Sequence, residues 1–138
     1  RIVHVLIFND QGEMALQLRS QNKSFCPGHW STSVGGHVSA GETYEQGALR
    51  EFTEELGMSQ EISFVRKDIY KGNSLVKFLS TFKTTFNGPF KVNLEEVDKV
   101  EFFSLNKIQQ MINAGEKFHP ELLFLLEKEF GILNTKID

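Results

Sequence analysis

Cysteine, proline and the polar aromatics are all scarce in this chain: one Cys, three Pro, one Trp and two Tyr in 138 residues. A single thiol, Cys26, excludes an internal disulfide and suits a reducing compartment, so the cytoplasm is the expected location. No apolar run approaches the ~18 residues of a membrane span, and no membrane partner is expected. Excess charge is also small. The formal net charge is −3 and the pI about 5.8, which gives no long-range attraction to a nucleic acid polymer or an anionic membrane. An anionic ligand must therefore be held by local groups and metal. Repeats, low-complexity tracts and interdomain linkers are absent as well, so residues 1–138 read as one domain, large enough to bury most of its apolar surface without staples. The first residue is Arg1 rather than Met, which leaves the upstream sequence open.

Phenylalanine is the exception to this scarcity, with thirteen copies. Such a number invites a reading as stacking platforms for bases. However, Phe64, Phe78, Phe82, Phe86, Phe102, Phe103, Phe124 and Phe130 fall in strand-like or amphipathic helical patterns, which places them in the core.

Along the chain, the β-branched run 2–8 ends at the turn signal Asn9-Asp10-Gln11-Gly12, and 14–19 alternates after it, which predicts a hairpin. A polar stretch, 20–24, leads to a strand-like segment 30–34 and then to the twin glycines Gly35 and Gly36. A helix is predicted over 44–56, with Thr43 and Gln46 as a capping box and Gly57 as a left-handed C-terminal residue. Strands are expected at 61–70 and 74–86, with a turn near Lys71-Gly72-Asn73, and at 98–104 after a loop around Asn87-Gly88-Pro89. Helical periodicity returns over 105–114 and 120–130, stopped by Gly115 and Gly131. Strands around one central helix, followed by two terminal helices, suggest a mixed sheet covered by helices on both faces.

The chemistry concentrates in residues Gly36 to Met58: Gly36-x5-Glu42-x7-Arg50-Glu51-Phe52-x-Glu54-Glu55-x-Gly57-Met58. On a helix, Glu51, Glu54 and Glu55 stand at i, i+3 and i+4 and share one arc, with Leu49, Phe52 and Leu56 on the roughly opposite one. Two unit charges ~4 Å apart repel by about 4 kcal/mol at an effective dielectric near 20, and a divalent cation reverses that. Clustered carboxylates with oxygen-only ligands favour Mg²⁺ or Mn²⁺, which suits a diphosphate substrate. Arg50, four residues before Glu54 and eight after Glu42, can tie the loop to the helix. Gly36, lacking a side chain, lets a backbone carbonyl approach the metal.

This order resembles the signature of the Nudix hydrolases, with every fixed position filled. The resemblance implies an α/β fold, the Nudix-type α/β/α sandwich with a mixed central sheet, and hydrolysis of a phosphoanhydride bond in a nucleoside diphosphate linked to another group X. By it, Glu51, Glu54, Glu55 and the Gly36 carbonyl become metal ligands. Arg50 joins the three glutamates in the catalytic set, one glutamate acts as base, and Glu42 and Gly57 support the box. A further acid expected before a late strand is Glu96, preferred over Glu95. The segment from Leu16 to His37 is similar to isopentenyl diphosphate isomerase, a Nudix-fold enzyme of another reaction class, and this makes Arg19 and Lys23 candidate phosphate contacts. Against isomerase activity, the isomerase's catalytic cysteine falls at Gly35, Cys26 lies nine residues too early, and no Glu occurs between Glu61 and Glu95. His37 reads as a turn residue or a supporting ligand. A non-catalytic nucleotide-binding module is the remaining alternative, disfavoured by the intact acids. Any assembly is expected to be a homodimer, the common oligomer.

Overall fold

The computed structural model describes residues 1–72 and 74–134. Ten elements follow in order: β1 (Ile2–Phe8), β2 (Met14–Arg19), β3 (Trp30–Ser31), β4 (Val34–His37), α1 (Tyr44–Leu56), β5 (Ser63–Gly72), β6 (Leu75–Thr85), β7 (Val97–Phe103), α2 (Leu105–Asn113) and α3 (Pro120–Phe130). All seven strands belong to one sheet, ordered β3-β2-β1-β6-β5, with β4 added to β1 and β7 to β2. The β1–β6 pairing is parallel and the others are antiparallel, so the sheet is mixed. Among the described residues, no helix is long and apolar enough to cross a membrane.

β1 is nearly all apolar because both of its faces are covered. Val3, Val5 and Ile7, with Ala15, Val34 and Phe82, meet Ala48, Phe52 and Leu56 of α1 on one side. Leu6, Met14, Leu16 and Trp30 meet Ile108, Met111 and Ile112 of α2 and Leu122 and Leu126 of α3 on the other. The result is the α/β/α sandwich. Its first turn is held by Asn9, whose Oδ1 accepts from the N–H groups of Gln11 and Glu13 at 3.1 and 2.9 Å.

α1 takes the predicted bounds for the predicted reasons. Thr43 Oγ1 accepts from the Gln46 N–H at 3.1 Å while Gln46 Oε1 accepts from the Thr43 N–H at 2.9 Å. Gly57 closes the helix at φ +78°, and a Cβ there would press on the Lys91 carbonyl oxygen at 2.7 Å, so both conformation and space require glycine. Burial of Phe52, which is fully enclosed, contributes roughly 1.5–3 kcal/mol.

Three expectations change. The strand predicted over 30–34 is two strands, β3 and β4, because the chain changes partner from β2 to β1 at Thr32 and Ser33. Ser33 is buried there, and its hydroxyl accepts from the Ile7 N–H at 2.9 Å and donates to the Ala15 carbonyl. Gly35 and Gly36 consequently lie in β4 rather than in a loop. Phe64 and Phe78 are not core residues: they are 56% and 52% exposed on the β5–β6 hairpin, at the sheet's edge, which the helices cover only in part. Phe82 is buried, and Phe86, Phe102, Phe103 and Phe130 pack against the two cores. Phe124 sets its ring edge-on to Tyr70. Of the turn expected at 71–73, Lys71 and Gly72 belong to β5, and Asn73 lies outside the described residues.

Candidate active site

β1 faces β2 at Phe8 opposite Met14, but its N-terminal half pairs with β4, with Ile2 opposite His37 and His4 opposite Gly35. β2 meanwhile runs on beside β7 and β3. A cavity of about 510 Å³ opens at this end of the sheet, within the size range of small-molecule sites. Its lining includes Gly36, Glu51, Glu55 and Glu96 together with Arg19 and Lys23, so most of the predicted site residues meet in one place.

The three helix acids have different environments. Glu55 is buried at 3% exposure, and its Oε1 accepts from Gln17 Nε2 at 2.7 Å and from the Gly35 N–H at 3.4 Å. Burial, and then contact with Glu51, hold the Glu55 carboxyl well above the usual carboxylate range, against the pull of Gln17 and Gly35. Glu51 stands at the cavity wall directly against Gly36, where a Cβ would overlap its carboxylate. Glu54 is half exposed, pairs with Arg50 Nη1 at 3.2 Å, and does not line the cavity. Among the described residues, no three His, Cys, Asp or Glu side chains already converge as a metal cluster. The Glu51 carboxylate also reaches Arg50, and that of Glu55 reaches Gln17, while the two remain in contact with each other.

Arg50 ties the box together. Its guanidinium donates to Glu42 at 2.7 and 3.0 Å, to Glu51 at 2.5 Å, to the His37 carbonyl at 2.9 Å and to Ser39 Oγ at 3.3 Å. Glu42 in turn accepts from the Ser39 N–H at 2.8 Å. These hydrogen bonds, Arg50 foremost, bring the Glu42 carboxyl down to about 2. The Glu42–Arg50 link therefore joins the loop after β4 to α1.

Of the other candidates, Glu96 lines the cavity and Glu95 does not. Arg19 donates to the Phe25 carbonyl through Nε and an Nη at 3.0 and 2.8 Å. Among the described residues, neither Arg19 nor Lys23 has an ion-pair partner. His37 is exposed at the cavity's edge. Cys26 does not line the cavity, and burial pushes its thiol up, away from the reactive thiolate. At Gly35, a Cβ would sit 3.0 Å from His4 Nδ1 and 3.2 Å from Thr32 Oγ1, so a side chain there would displace the histidine.

Several lining residues were not singled out from the sequence: His4, Gln17, Phe25, Leu75, Lys77, His119 and Glu121. His4 had a signal, a titratable residue in an otherwise apolar strand. Glu121, next to Pro120, and Lys77, within a strand, carry no local sequence signal that sets them apart.

The NUDIX domain family model matches residues 1–126. An uncharacterised Nudix hydrolase of Listeria innocua is 32% identical over 97% of this chain and 79% of its own length. An isopentenyl-diphosphate Delta-isomerase 2 of Photorhabdus laumondii is 30% identical over 82% of this chain and 67% of its own. A solved Deinococcus radiodurans structure superposes with a TM-score of 0.81 at 28% identity, covering 94% of this chain and 82% of that one. With the acids, the arginine clamp and the fold in agreement, the chain belongs to the Nudix hydrolase family and is an enzyme.

Proposed function

We propose that this enzyme is a Mg²⁺-dependent hydrolase, with Mn²⁺ as the alternative metal, that cleaves a phosphoanhydride bond in a nucleoside diphosphate linked to X or in a related diphosphate. The observation that carries this reading is the Glu51–Glu55 carboxylate pair beside Gly36 at a cavity wall, where any side chain at position 36 would overlap Glu51. Two carboxylates in contact, one of them buried, fit a divalent cation, and an all-oxygen donor set fits a hard one.

Glu51, Glu55 and the Gly36 carbonyl would hold the metal, with Glu54 and Glu96 as further donors. Bound there, it would neutralise phosphate charge and lower the pKa of an attacking water. Arg50 keeps Glu51 and Glu54 in line, and Gln17 keeps Glu55 in place. Arg19 and Lys23 supply positive charge for the phosphates from the cavity's other elements. The base is one of the glutamates; Glu55, whose carboxyl burial and contact with Glu51 hold above the usual carboxylate range, suits proton transfer.

Likeness to the isomerase supports a second reading, but the local geometry disfavours it. Gly35 supplies no thiol, and a side chain there would crowd His4. From the segment between Glu61 and Glu95, the cavity receives Leu75 and Lys77 rather than a glutamate. Product analysis separates the two: with Mg²⁺ and a panel of nucleoside di- and triphosphates, nucleotide sugars, dinucleotides and prenyl diphosphates, hydrolysis products are expected. A dimethylallyl product from isopentenyl diphosphate would establish the isomerase instead.

A further inference from the structure

Facing the same cavity is a chain of hydrogen bonds with no part in the acidic box. Lys77 Nζ donates to Glu121 Oε2 at 2.9 Å. Glu121, its side chain only 5% exposed, accepts from His4 Nε2 at 2.8 Å through its other oxygen. His4 Nδ1 lies 2.7 Å from Thr32 Oγ1, and that hydroxyl donates to the Val34 carbonyl at 2.9 Å. His4 thus spans Thr32 and Glu121 in the buried wall. Burial would raise the Glu121 carboxyl, yet its contacts with His4 and then the Lys77 hydrogen bond bring it down to about 2.

Both oxygens of this one carboxylate are therefore engaged, one by His4 and the other by Lys77. An ammonium has three donors, and Lys77 spends one on Glu121. The Lys77 side chain is 28% exposed and lines the cavity with Arg19 and Lys23, its ammonium 5.9 Å from the Phe25 ring centre. Lys77 keeps ammonium donors beyond the one given to Glu121, and its side chain lines the cavity rather than being enclosed between β6 and α3.

We propose that Lys77 is a specificity-determining substrate contact whose ammonium binds an anionic oxygen of the diphosphate compound, with Glu121 and His4 as the positioning residues that fix it on the cavity wall. This rests on the diphosphate reading given above. It adds a third cation to Arg19 and Lys23, on a different strand, and so favours substrates that carry anionic charge beyond the scissile diphosphate.

The test uses Lys77→Gln, which retains a donor for Glu121 but removes the charge, and Lys77→Arg, which retains both. Steady-state kinetics are measured on the best diphosphate substrate, and binding of inorganic pyrophosphate is measured by calorimetry. Lys77→Gln is expected to raise KM about 10- to 100-fold, the usual effect of a lost charge-assisted hydrogen bond, and to raise it by more than it lowers kcat. Pyrophosphate affinity should fall in parallel, and Lys77→Arg should restore most of both. Glu121→Gln should move KM in the same direction, which a purely structural strut would not do. A lowered Tm with unchanged KM and pyrophosphate affinity in Lys77→Gln would overturn the assignment while leaving the hydrolase intact. Weakened pyrophosphate binding in a protein that hydrolyses no diphosphate would uphold Lys77 and remove the hydrolase reading. If Lys77→Gln does not fold, Lys77→Arg together with Glu121→Gln decides: unchanged KM in both overturns the assignment, and a raised KM in Glu121→Gln alone supports it.

Discussion

Gly36 and Glu51 share a space that holds one side chain only. The carboxylate of Glu51 occupies the volume a Cβ at position 36 would need, and Glu51 is the far end of a flexible chain that can turn aside. Gly36→Ala is therefore expected to change stability by less than about 1 kcal/mol but to lower turnover by on the order of a hundredfold, because a displaced ligand of even ~1 Å costs that much. Thermal melting and steady-state rates on the same preparation check it. The grouping of Glu51, Glu54 and Glu55 was legible because helical spacing puts them on one arc. Their division was not legible. Whether an acid on that arc is buried against Gln17, set against Gly36 or left outside depends on strands that come from elsewhere in the chain.

At the scale of elements, α1 presents acids to the cavity because its opposite side is anchored. Phe52→Ala should cost about 3–5 kcal/mol, read as a lower urea midpoint with a similar slope. α3 carries a pH-sensitive cap: His119 Nδ1 accepts from the Glu121 N–H at 3.1 Å, and a proton on that nitrogen ends the bond. Burial lowers His119 from 6.5 to about 4. Between those values the unfolded chain binds the proton and the folded one resists it, so stability falls as pH drops from 6.5 toward 4. Glu121, lowered from 4.5 to about 2, adds a loss over that lower window. His119→Asn keeps an N-cap acceptor without the titration. Its Tm should fall less than that of the wild type between pH 6.5 and 4, and parallel melting curves for the two proteins would contradict this. Helix ends were readable in the sequence because caps are local chemistry. The break at Thr32 and Ser33 and the exposure of Phe64 and Phe78 were not, since alternation shows a strand but not its partner or its cover.

Across the whole molecule, the departure of β1 from β2 to pair with β4 creates the cavity, and α1 closes one wall while β6 and α3 bring Lys77 and Glu121 to another. The box alone revealed the acidic wall of this candidate site, the part that is contiguous in sequence. The rest of the lining is assembled from residues as far apart as His4 and Glu121. A metal bound at the acidic wall must stabilise the folded state: at about a hundredfold excess over its Kd, Mg²⁺ should add roughly 2.7 kcal/mol. The accompanying rise in Tm should vanish in Glu51→Gln.

Whether the Glu51–Glu55 pair performs Mg²⁺-dependent hydrolysis is tested by product release from a diphosphate substrate across a Mg²⁺ titration, in the wild type and in Glu55→Gln. Turnover should rise with Mg²⁺, disappear with a chelator, and fall by about 10²- to 10⁴-fold in the variant. Wild-type turnover in Glu55→Gln, or turnover indifferent to Mg²⁺, would contradict it.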